Sequence, residues 1–465
     1  MTKHYHLIGI GGIGMSTIAS LLLAKGQRVS GSDVRENSSV SRLIAQGASI
    51  TVGHNSENIG DADVVVYSSA ITDANCELAA AHRRGIPVLR RAQVLAQLMG
   101  EHTGITVAGA HGKTTTTSMI GQMMSAAGLE PTTAIGGIVM GSGSNAALGK
   151  GKYFVAEVDE SDGSFLYFSP DYSIISNIDL EHLDYYQNWK HIADTYQEFF
   201  QRTSAGGVII AYGDDHRLCD LIRQSGREFK TFGFSSDDDV FATNIRMQEF
   251  HTSFDCVIRG ELAGQVEMPI PGRHNIANAL ACLCLGSQLG IDFNVMAESL
   301  SGFGGVQRRF ETLGIVEDVM VVDDYAHHPT EILATLQTAH EQHVGRVVGI
   351  FQPHRYSRLK ALWKEFVESL KDVDYLIVTD VYAASENAIP GVESAAFVND
   401  LKKISDHPVI YIKQEKIVNH LFKTAMPGDL IITLGAGDVN QVGYEFVRKK
   451  RMKLEKQMEK ISESK

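Results

Sequence analysis

The sequence has no apolar run near the roughly 18 residues that a membrane-spanning helix needs. The long uncharged stretch Pro131 to Gly149 is broken by glycines and serines. The start, MTKHYHLIGI, lacks the basic, apolar and small-residue regions of a secretory signal and reads directly into a strand, so a cytoplasmic chain is expected. Cysteine is sparse, scattered and odd in number: Cys76, Cys219, Cys256, Cys282 and Cys284. The last two sit in the apolar run ALACLCLGSQL, and the set reads as core thiols without the spacing of a metal site. Basic charge is in deficit, 42 lysines and arginines against 55 acids, for a net charge of −13. That argues against a nucleic-acid partner but not against a phosphate ligand, which backbone amides alone can bind. A fixed-period repeat is also lacking.

What is present is a globular composition, 44% hydrophobic and 21% charged over 465 residues. This excludes disordered, collagenous and coiled-coil chains, and at ~150 residues per domain it suggests about three domains. Apolar, β-branched runs recur at 5–10, 64–69, 105–110, 153–159, 173–179, 208–212, 319–325, 346–351, 375–380 and 430–437, with helical stretches between. Alternation of that kind predicts an α/β protein with parallel sheets covered on both faces. Residues 228–270 read as a short antiparallel insert. A glycine ends the helical RRAQVLAQLMG near 102, and SGFGGVQ near 302–307 is glycine-rich. The expected domains are therefore 1–102, 103–306 and 307–465. The end, Arg448 to Lys465, carries eight basic and three acidic side chains and reads as a solvated helix or frayed tail.

Two glycine motifs carry the chemistry. LIGIGGIG at 7–14 places Gly9, Gly11 and Gly14 in G-x-G-x-x-G after a strand and before a helix, with Asp33 about twenty residues on. Alone it suggests NAD or FAD, although the same turn binds any nucleotide diphosphate. GAHGKTTTT at 109–117 ends as a P-loop does, in Gly112-Lys113-Thr114. Its amides would cradle phosphates, the lysine would offset their charge and the hydroxyl would hold Mg²⁺. The usual first glycine is replaced by Val107, so the loop is a short variant. A hydride transferase has no use for a P-loop lysine, whereas an enzyme that activates one nucleotide-bearing substrate with ATP needs both motifs.

Carboxylates follow the next two strands: Glu157, Asp159, Glu160 and Asp162 in AEVDESDGSF, then NIDLEHLDYY. Such positions sit over the ligand crevice of a parallel sheet, and hard oxygens suit Mg²⁺. His182 taken alone reads as structural, because imidazole is a poor Mg²⁺ ligand.

G-x-H-G-K-T-T-T, E-x-D-E-S-D-x-S-F and N-I-x-x-x-H-x-D together resemble the Mur ligases, the ATP-dependent amide-forming enzymes of peptidoglycan synthesis. The resemblance covers the whole chain and implies a Rossmann-like UDP-binding domain, a central P-loop ATPase domain and a Rossmann-like domain for the amino acid. Within the family, GIGGIGMS, DDYAHHPTEI and QPHRYSR resemble the member that joins L-alanine to UDP-N-acetylmuramate through an acyl phosphate. The region 192–203 has no lysine, where later-acting members carry a carbamylated one.

The resemblance implies a UDP-sugar site of Gly11, Gly12, Ser32, Asp33, His54, Ser68 and Ser69. It implies an ATP site of Gly109, Ala110, His111, Gly112, Lys113, Thr114 and Thr115, with Asn275, Asn278, Arg309 and Asp324. Thr114 and Glu157 would hold one Mg²⁺ and His182 a second, with Glu160 able to exchange roles with Glu157. Tyr325, His327, Arg355 and Arg358 would take the amino acid, and Lys113, His182, His327, Arg355 and Arg358 form the catalytic set. The alternative is a recycling ligase that adds a whole tripeptide to the same UDP-sugar. A nicotinamide oxidoreductase and an ATP-gated binding protein are the readings from other classes. Monomer and homodimer both stay open. One departure is Ser385, where the family has a glycine.

Overall fold

A computed structural model describes residues 2–463 apart from 69, 141, 142, 344 and 385. Three sheets form an α/β protein. The first has five strands in the order Ser49–Val52, Arg28–Asp33, His4–Ile8, Val64–Tyr67, Val88–Arg90, all parallel. The second has ten strands. At its centre Thr103–Ala108 lies between Tyr153–Glu157 and Tyr172–Ile175 and pairs parallel with both. The third has six, in the order Glu311–Val316, Val319–Asp324, Leu430–Leu434, Val347–Phe351, Tyr375–Val378, Val409–Tyr411. Only its first pair is antiparallel.

The chain divides into two compact units. One holds residues 1–246, 253–269 and 274–304; the other holds 247–252, 270–273 and 305–465. In the first unit a continuous apolar core runs from Leu7, Ile18 and Val66 to Phe154, Phe165 and Phe199. In the second, strand alternation splits neighbouring residues between two cores. Leu430, Ile432 and Leu434 face one helical layer and Ile431 the other. A strand buried on both faces must read as an unbroken apolar run, which is why these strands were visible in sequence.

Residues 228–270 extend the second sheet: Phe229–Gly233 pairs parallel with Val208–Tyr212 and Val240–Gln248 parallel with Phe229–Gly233. Val240–Gln248, His251–Ile258 and Glu261–Met268 then follow as neighbours joined by two-residue turns, which only antiparallel strands allow, and form the expected antiparallel insert. One expectation needs correction. Cysteine is not uniformly core. Cys219, Cys256, Cys282 and Cys284 are buried, but Cys76 is exposed because it opens a surface helix, Cys76–Arg83, capped by Asn75. The basic C-terminus is a helix, Asn440–Glu463. Among the described residues no helix is long and apolar enough to cross a membrane.

Phe165, fully buried, stacks on Phe199 at 4.5 Å between ring centroids and meets Tyr196 edge-on. Phe165→Ala is expected to destabilise the first unit by about 3–5 kcal/mol, read as a shift in the urea unfolding midpoint. A change under about 1 kcal/mol would show that the cavity collapses.

Candidate active site

The strand His4–Ile8 ends at Gly9, whose φ of 76° suits a residue without Cβ. The amides of Gly9 and Ile10 donate to the Ser32 carbonyl at 2.8 and 3.0 Å. The amide of Gly11 donates to Asp33 Oδ2 at 2.9 Å, and a Cβ on Gly11 would press on Asp33, Asn37 and Val40. Helix Ile13–Ala24 starts immediately after, with Gly12 at its cap. Asp33 therefore braces the glycine loop. Ser32 is buried and His54 half-buried beside it, with Ser32 Oγ 3.0 Å from His54 Nδ1.

The second loop leaves the strand Thr103–Ala108. Gly109 and Gly112 have φ of 123° and 83°. Helix Lys113–Ala126 follows, with Thr114 and Thr115 buried in its first turn. The Ala110 amide donates to the Asn177 carbonyl and the His111 amide to Asn177 Oδ1. His111 Nε2 lies 3.3 Å from Asp179. Lys113 Nζ donates to the Gly109 carbonyl at 2.6 Å and to Glu160 Oε1 at 2.8 Å. Thr114 Oγ1 donates to Glu157 Oε1 at 3.1 Å. The two glutamates are thus separated: Glu157 faces the hydroxyl and Glu160 the ammonium. His182, at φ 53°, brings Nε2 to 3.8 Å from Glu160 Oε1. Asn278, buried, accepts from Thr116 Oγ1 and donates to Asn275 Oδ1. The Asn278 amide stands behind the loop, against Gly112.

Electrostatics follow from the burial. Dehydration opposes the Lys113 charge, but Glu160, Asp159 and Glu157 outweigh it and hold the ammonium pKa above its ordinary value. Burial pushes Glu160 up to about 7 against the pull of Lys113. Burial likewise opposes the Asp159 charge, yet Lys113 and Arg91 prevail and lower its pKa.

Both loops open on one cavity of about 300 Å³, lined by Gly9, Gly12, Ser68, Lys113, Glu157 and Asp159. Sequence reasoning missed Arg91, which lines the same cavity with Nη2 3.6 Å from Asp159. A Cβ on Gly14 would strike its guanidinium. It also missed Asn145, whose buried Nδ2 donates to the Ile13 carbonyl at 2.9 Å and to Thr17 Oγ1 at 2.8 Å, tying helix Ile13–Ala24 to the second sheet's strand Ala146–Ala147. A lone arginine opening a helix and a lone asparagine in a glycine-rich stretch carry no pattern. Ser69 and Ser385 lie outside the described residues.

In the second unit Asp324 accepts from the amides of Phe310 and Ala326, and burial raises it to about 6 despite Arg309. Arg309 stands 3.5 Å from Glu331 with its guanidinium 5.4 Å from the Tyr325 ring. The neighbouring Arg308, not singled out in sequence, donates to Asp323 Oδ2 and to the carbonyls of Gly435 and Gly437, organising the loop at 435–438. His327 Nδ1 lies 3.1 Å from the Tyr325 carbonyl and 3.3 Å from Glu331. Burial lowers His327 to about 3, against Glu331. His354, also missed, stacks on Tyr382 at 5.5 Å and has Arg358 Nη1 3.2 Å from its Nδ1. Arg355 adopts φ 68°, a conformation that a non-glycine residue holds at a cost. Tyr325, His327, Arg355 and Arg358 therefore collect at the C-terminal ends of two strands of this sheet.

Three family models match the chain: "Mur ligase family, catalytic domain" over residues 4–103, "Mur ligase middle domain" over 107–286 and "Mur ligase, glutamate ligase domain" over 308–437. The chain belongs to the Mur ligase family. A UDP-N-acetylmuramate–L-alanine ligase of Syntrophotalea carbinolica is 48% identical, over 94% of this chain and 96% of the relative. One of a Geobacter species is 46% identical, over 95% and 96%. Among solved structures, the UDP-N-acetylmuramate–alanine ligase of Thermotoga maritima superposes with a TM-score of 0.84 at 28% identity, covering 97% of this chain and all of that one. A murein peptide ligase from Psychrobacter arcticus gives 0.70 at 23% identity, over 96% and 98%, and shares the fold.

Two outcomes follow from this geometry. In Gly112→Ala a Cβ would run into Asn278 at a positive φ. ATP binding measured by calorimetry should weaken about tenfold or more, and an unchanged affinity would show that the loop tolerates the strain. Burial lowers His354 to about 4 from an ordinary 6.5, with Arg358 adding to it. The unfolded chain then binds the proton that the native state refuses, so stability present above pH 6.5 is lost as pH falls towards 4. Burial of Asp324 works in the opposite sense, since its raised pKa favours folding at low pH. His354→Gln should lose less stability than the wild type between pH 6.5 and 4, and parallel curves would refute the assignment.

Proposed function

We propose that this chain joins L-alanine to the muramoyl carboxylate of UDP-N-acetylmuramate, splitting ATP to ADP and phosphate, in peptidoglycan biosynthesis. The observation that carries the reading is the single cavity onto which the diphosphate-type glycine loop and the P-loop both open, in a chain 48% identical to an alanine ligase. The higher structural similarity to an alanine ligase than to a murein peptide ligase supports the single amino acid over the tripeptide. Residues 1–102 would hold the UDP-sugar, 103–306 ATP and 307–465 the amino acid. Use of ATP and the absence of a spanning helix among the described residues accord with a cytoplasmic reaction.

The UDP diphosphate lies at the start of helix Ile13–Ala24, where the first-turn amides and the helix dipole favour an anion. This sets the muramoyl carboxylate towards Lys113 and Arg91. A carboxylate oxygen attacks the γ-phosphorus, the bond to the β-bridging oxygen breaks, and ADP leaves an acyl phosphate. Lys113 and Arg91 offset the charge of bringing an anion to a polyanion. The alanine amine then attacks the acyl carbon, phosphate departs, and one proton is released. Arg355 and Arg358 offer guanidinium groups to the alanine carboxylate. His327, with Nδ1 turned to the Tyr325 carbonyl, keeps its Nε2 lone pair for the amine proton.

The residues present fit magnesium. Thr114 Oγ1 and Glu157 Oε1 are hard oxygens 3.1 Å apart, and the buried Glu160 Oε2 has no hydrogen-bond partner among the described residues. Thr114 and Glu157 would hold one ion, with Glu160 and His182 beside the second. Such ions would supply charge neutralisation at the transferring phosphoryl group.

Phosphate release should require UDP-N-acetylmuramate and L-alanine together. Lys113→Ala should reduce it by about a thousandfold or more, the scale of deleting one transition-state charge contact. Release with a tripeptide but not with alanine would move the enzyme to recycling. No release with any acceptor would return the first glycine motif to a nicotinamide cofactor.

A further inference from the structure

A buried polar chain lies under the first glycine loop. Glu77 lies in the first turn of helix Cys76–Arg83 and is fully buried, where an uncompensated carboxylate would be costly. It is amply compensated: it accepts from Ser32 Oγ at 2.6 Å, Asn58 Nδ2 at 2.7 Å, the Asn55 amide at 3.1 Å and His6 Nε2 at 3.2 Å. Burial opposes its charge, but these donors prevail and lower it to about 2, so it is ionised throughout the working range.

An ionised carboxylate only accepts, and that settles each neighbour. Ser32 spends its proton on Glu77, so its oxygen is left to accept. His54 Nδ1, 3.0 Å from that oxygen and 3.6 Å from Glu77 Oε1, must then carry a hydrogen. A neutral His54 in that tautomer has its lone pair on Nε2, for which no intramolecular partner is found among the described residues. The other branch is equally determined. His6 donates from Nε2 and accepts from the Ser30 hydroxyl on Nδ1, and Ser30 Oγ in turn accepts from His4 Nε2. The chain of donors ends at the surface on Arg28 and Asp61.

We infer that Glu77 is a positioning residue that fixes the tautomer of His54 and so gives the nucleotide-sugar site an acceptor for an N–H of the base. The inference rests on Ser32 and His54 bordering the UDP-sugar site, as in the proposed function. A uracil-type imide presents an N–H donor between two carbonyls; a cytosine-type ring presents a bare nitrogen there. An acceptor facing a bare nitrogen leaves two lone pairs opposed, so the network selects uracil chemistry without touching the base itself. Nothing in the motif at 9–14 encodes this choice, since amides around a diphosphate cannot distinguish bases.

The test is calorimetric titration of the full-length protein with UDP and CDP, alongside steady-state kinetics. Wild type should bind UDP about tenfold or more tighter than CDP, and the ratio should fall towards one in both Glu77→Gln and His54→Phe. In Glu77→Gln the KM for UDP-N-acetylmuramate should rise about 10- to 100-fold, with kcat within about threefold and the KM for ATP unchanged. Circular dichroism establishes that the variants fold; should Glu77→Gln fail to, the wild-type ratio and His54→Phe decide the matter. Equal binding of UDP and CDP by a wild type that ligates alanine overturns this inference and leaves the reaction standing. A UDP preference that Glu77→Gln abolishes, in a protein releasing no phosphate with any acceptor, supports the network and overturns the proposed reaction.

Discussion

The contact between Lys113 and Glu160 organises the first unit. A buried ammonium and a buried carboxylate each lose several kcal/mol of hydration, and either alone would be untenable. Together they hold the first turn of helix Lys113–Ala126 against the end of the strand Tyr153–Glu157. The same pair leaves the cavity short of positive charge. Glu157, Asp159 and Glu160 are three carboxylates, and Lys113 and Arg91 are the two cations among them. On the proposed reading this deficit has a purpose. A polyanion would be repelled from such a site unless a divalent cation entered with it, so nucleotide and metal binding should be coupled. Lys113, which donates to Glu160, would be available to the phosphates if a divalent cation offset the charge of that carboxylate.

The second unit solves a different problem by similar means. Arg308 cannot leave Asp323 and the carbonyls of Gly435 and Gly437 without stranding a buried carboxylate. It is committed to the scaffold. Arg355 and Arg358 lie on a short helix, Tyr356–Ala361, and at its cap. His354 and His327 beside them are held neutral by burial, with the arginines adding to the effect for both. On the proposed reading, neutral imidazoles leave the Arg355 and Arg358 guanidinium groups as the partners for a carboxylate.

What could be read from sequence was local. Strands buried on both faces are continuous apolar runs, and glycines at tight turns mark the loops whichever partner they meet. What could not be read was made by distant segments. Glu77 looks like an ordinary first-turn acid of a helix, favourable to the dipole and solvated; only donors from residues 6, 32, 55 and 58 make it a buried hub. Arg308 and Arg309 are adjacent and chemically identical, and only the position of Asp323 on the neighbouring strand decides which is structural. Glu157 and Glu160 were interchangeable in sequence for the same reason, and the partners Thr114 and Lys113 now divide them. The insert at 228–270 was legible as strands, but not that 229–233 and 240–248 join the sheet in parallel before the antiparallel turns begin, because short alternating runs do not say which way the next strand lies.

The shortened P-loop shows how such a division of labour arises. Where a longer loop has a glycine, this chain has Val107, fully buried within the strand Thr103–Ala108. The phosphate-binding turn therefore begins two residues later, at Gly109, and has too few residues to close on itself. The end of the adjacent strand closes it instead. Ser176 Oγ donates to the His111 carbonyl at 2.5 Å and Asn177 Nδ2 to the same carbonyl at 3.1 Å, while Asn177 Oδ1 accepts from the His111 amide. Both backbone hydrogen-bonding groups of His111 are thus satisfied by one external side chain, and the Ala110 amide by the Asn177 carbonyl. The close approach of that strand is also why Gly109 must be glycine: a Cβ there would overlap Ser176 Oγ and the Asn177 backbone. A shorter loop is stable here because the brace comes from outside it, and residues 109–112 and 176–177 form one structural unit although more than sixty residues separate them in the chain.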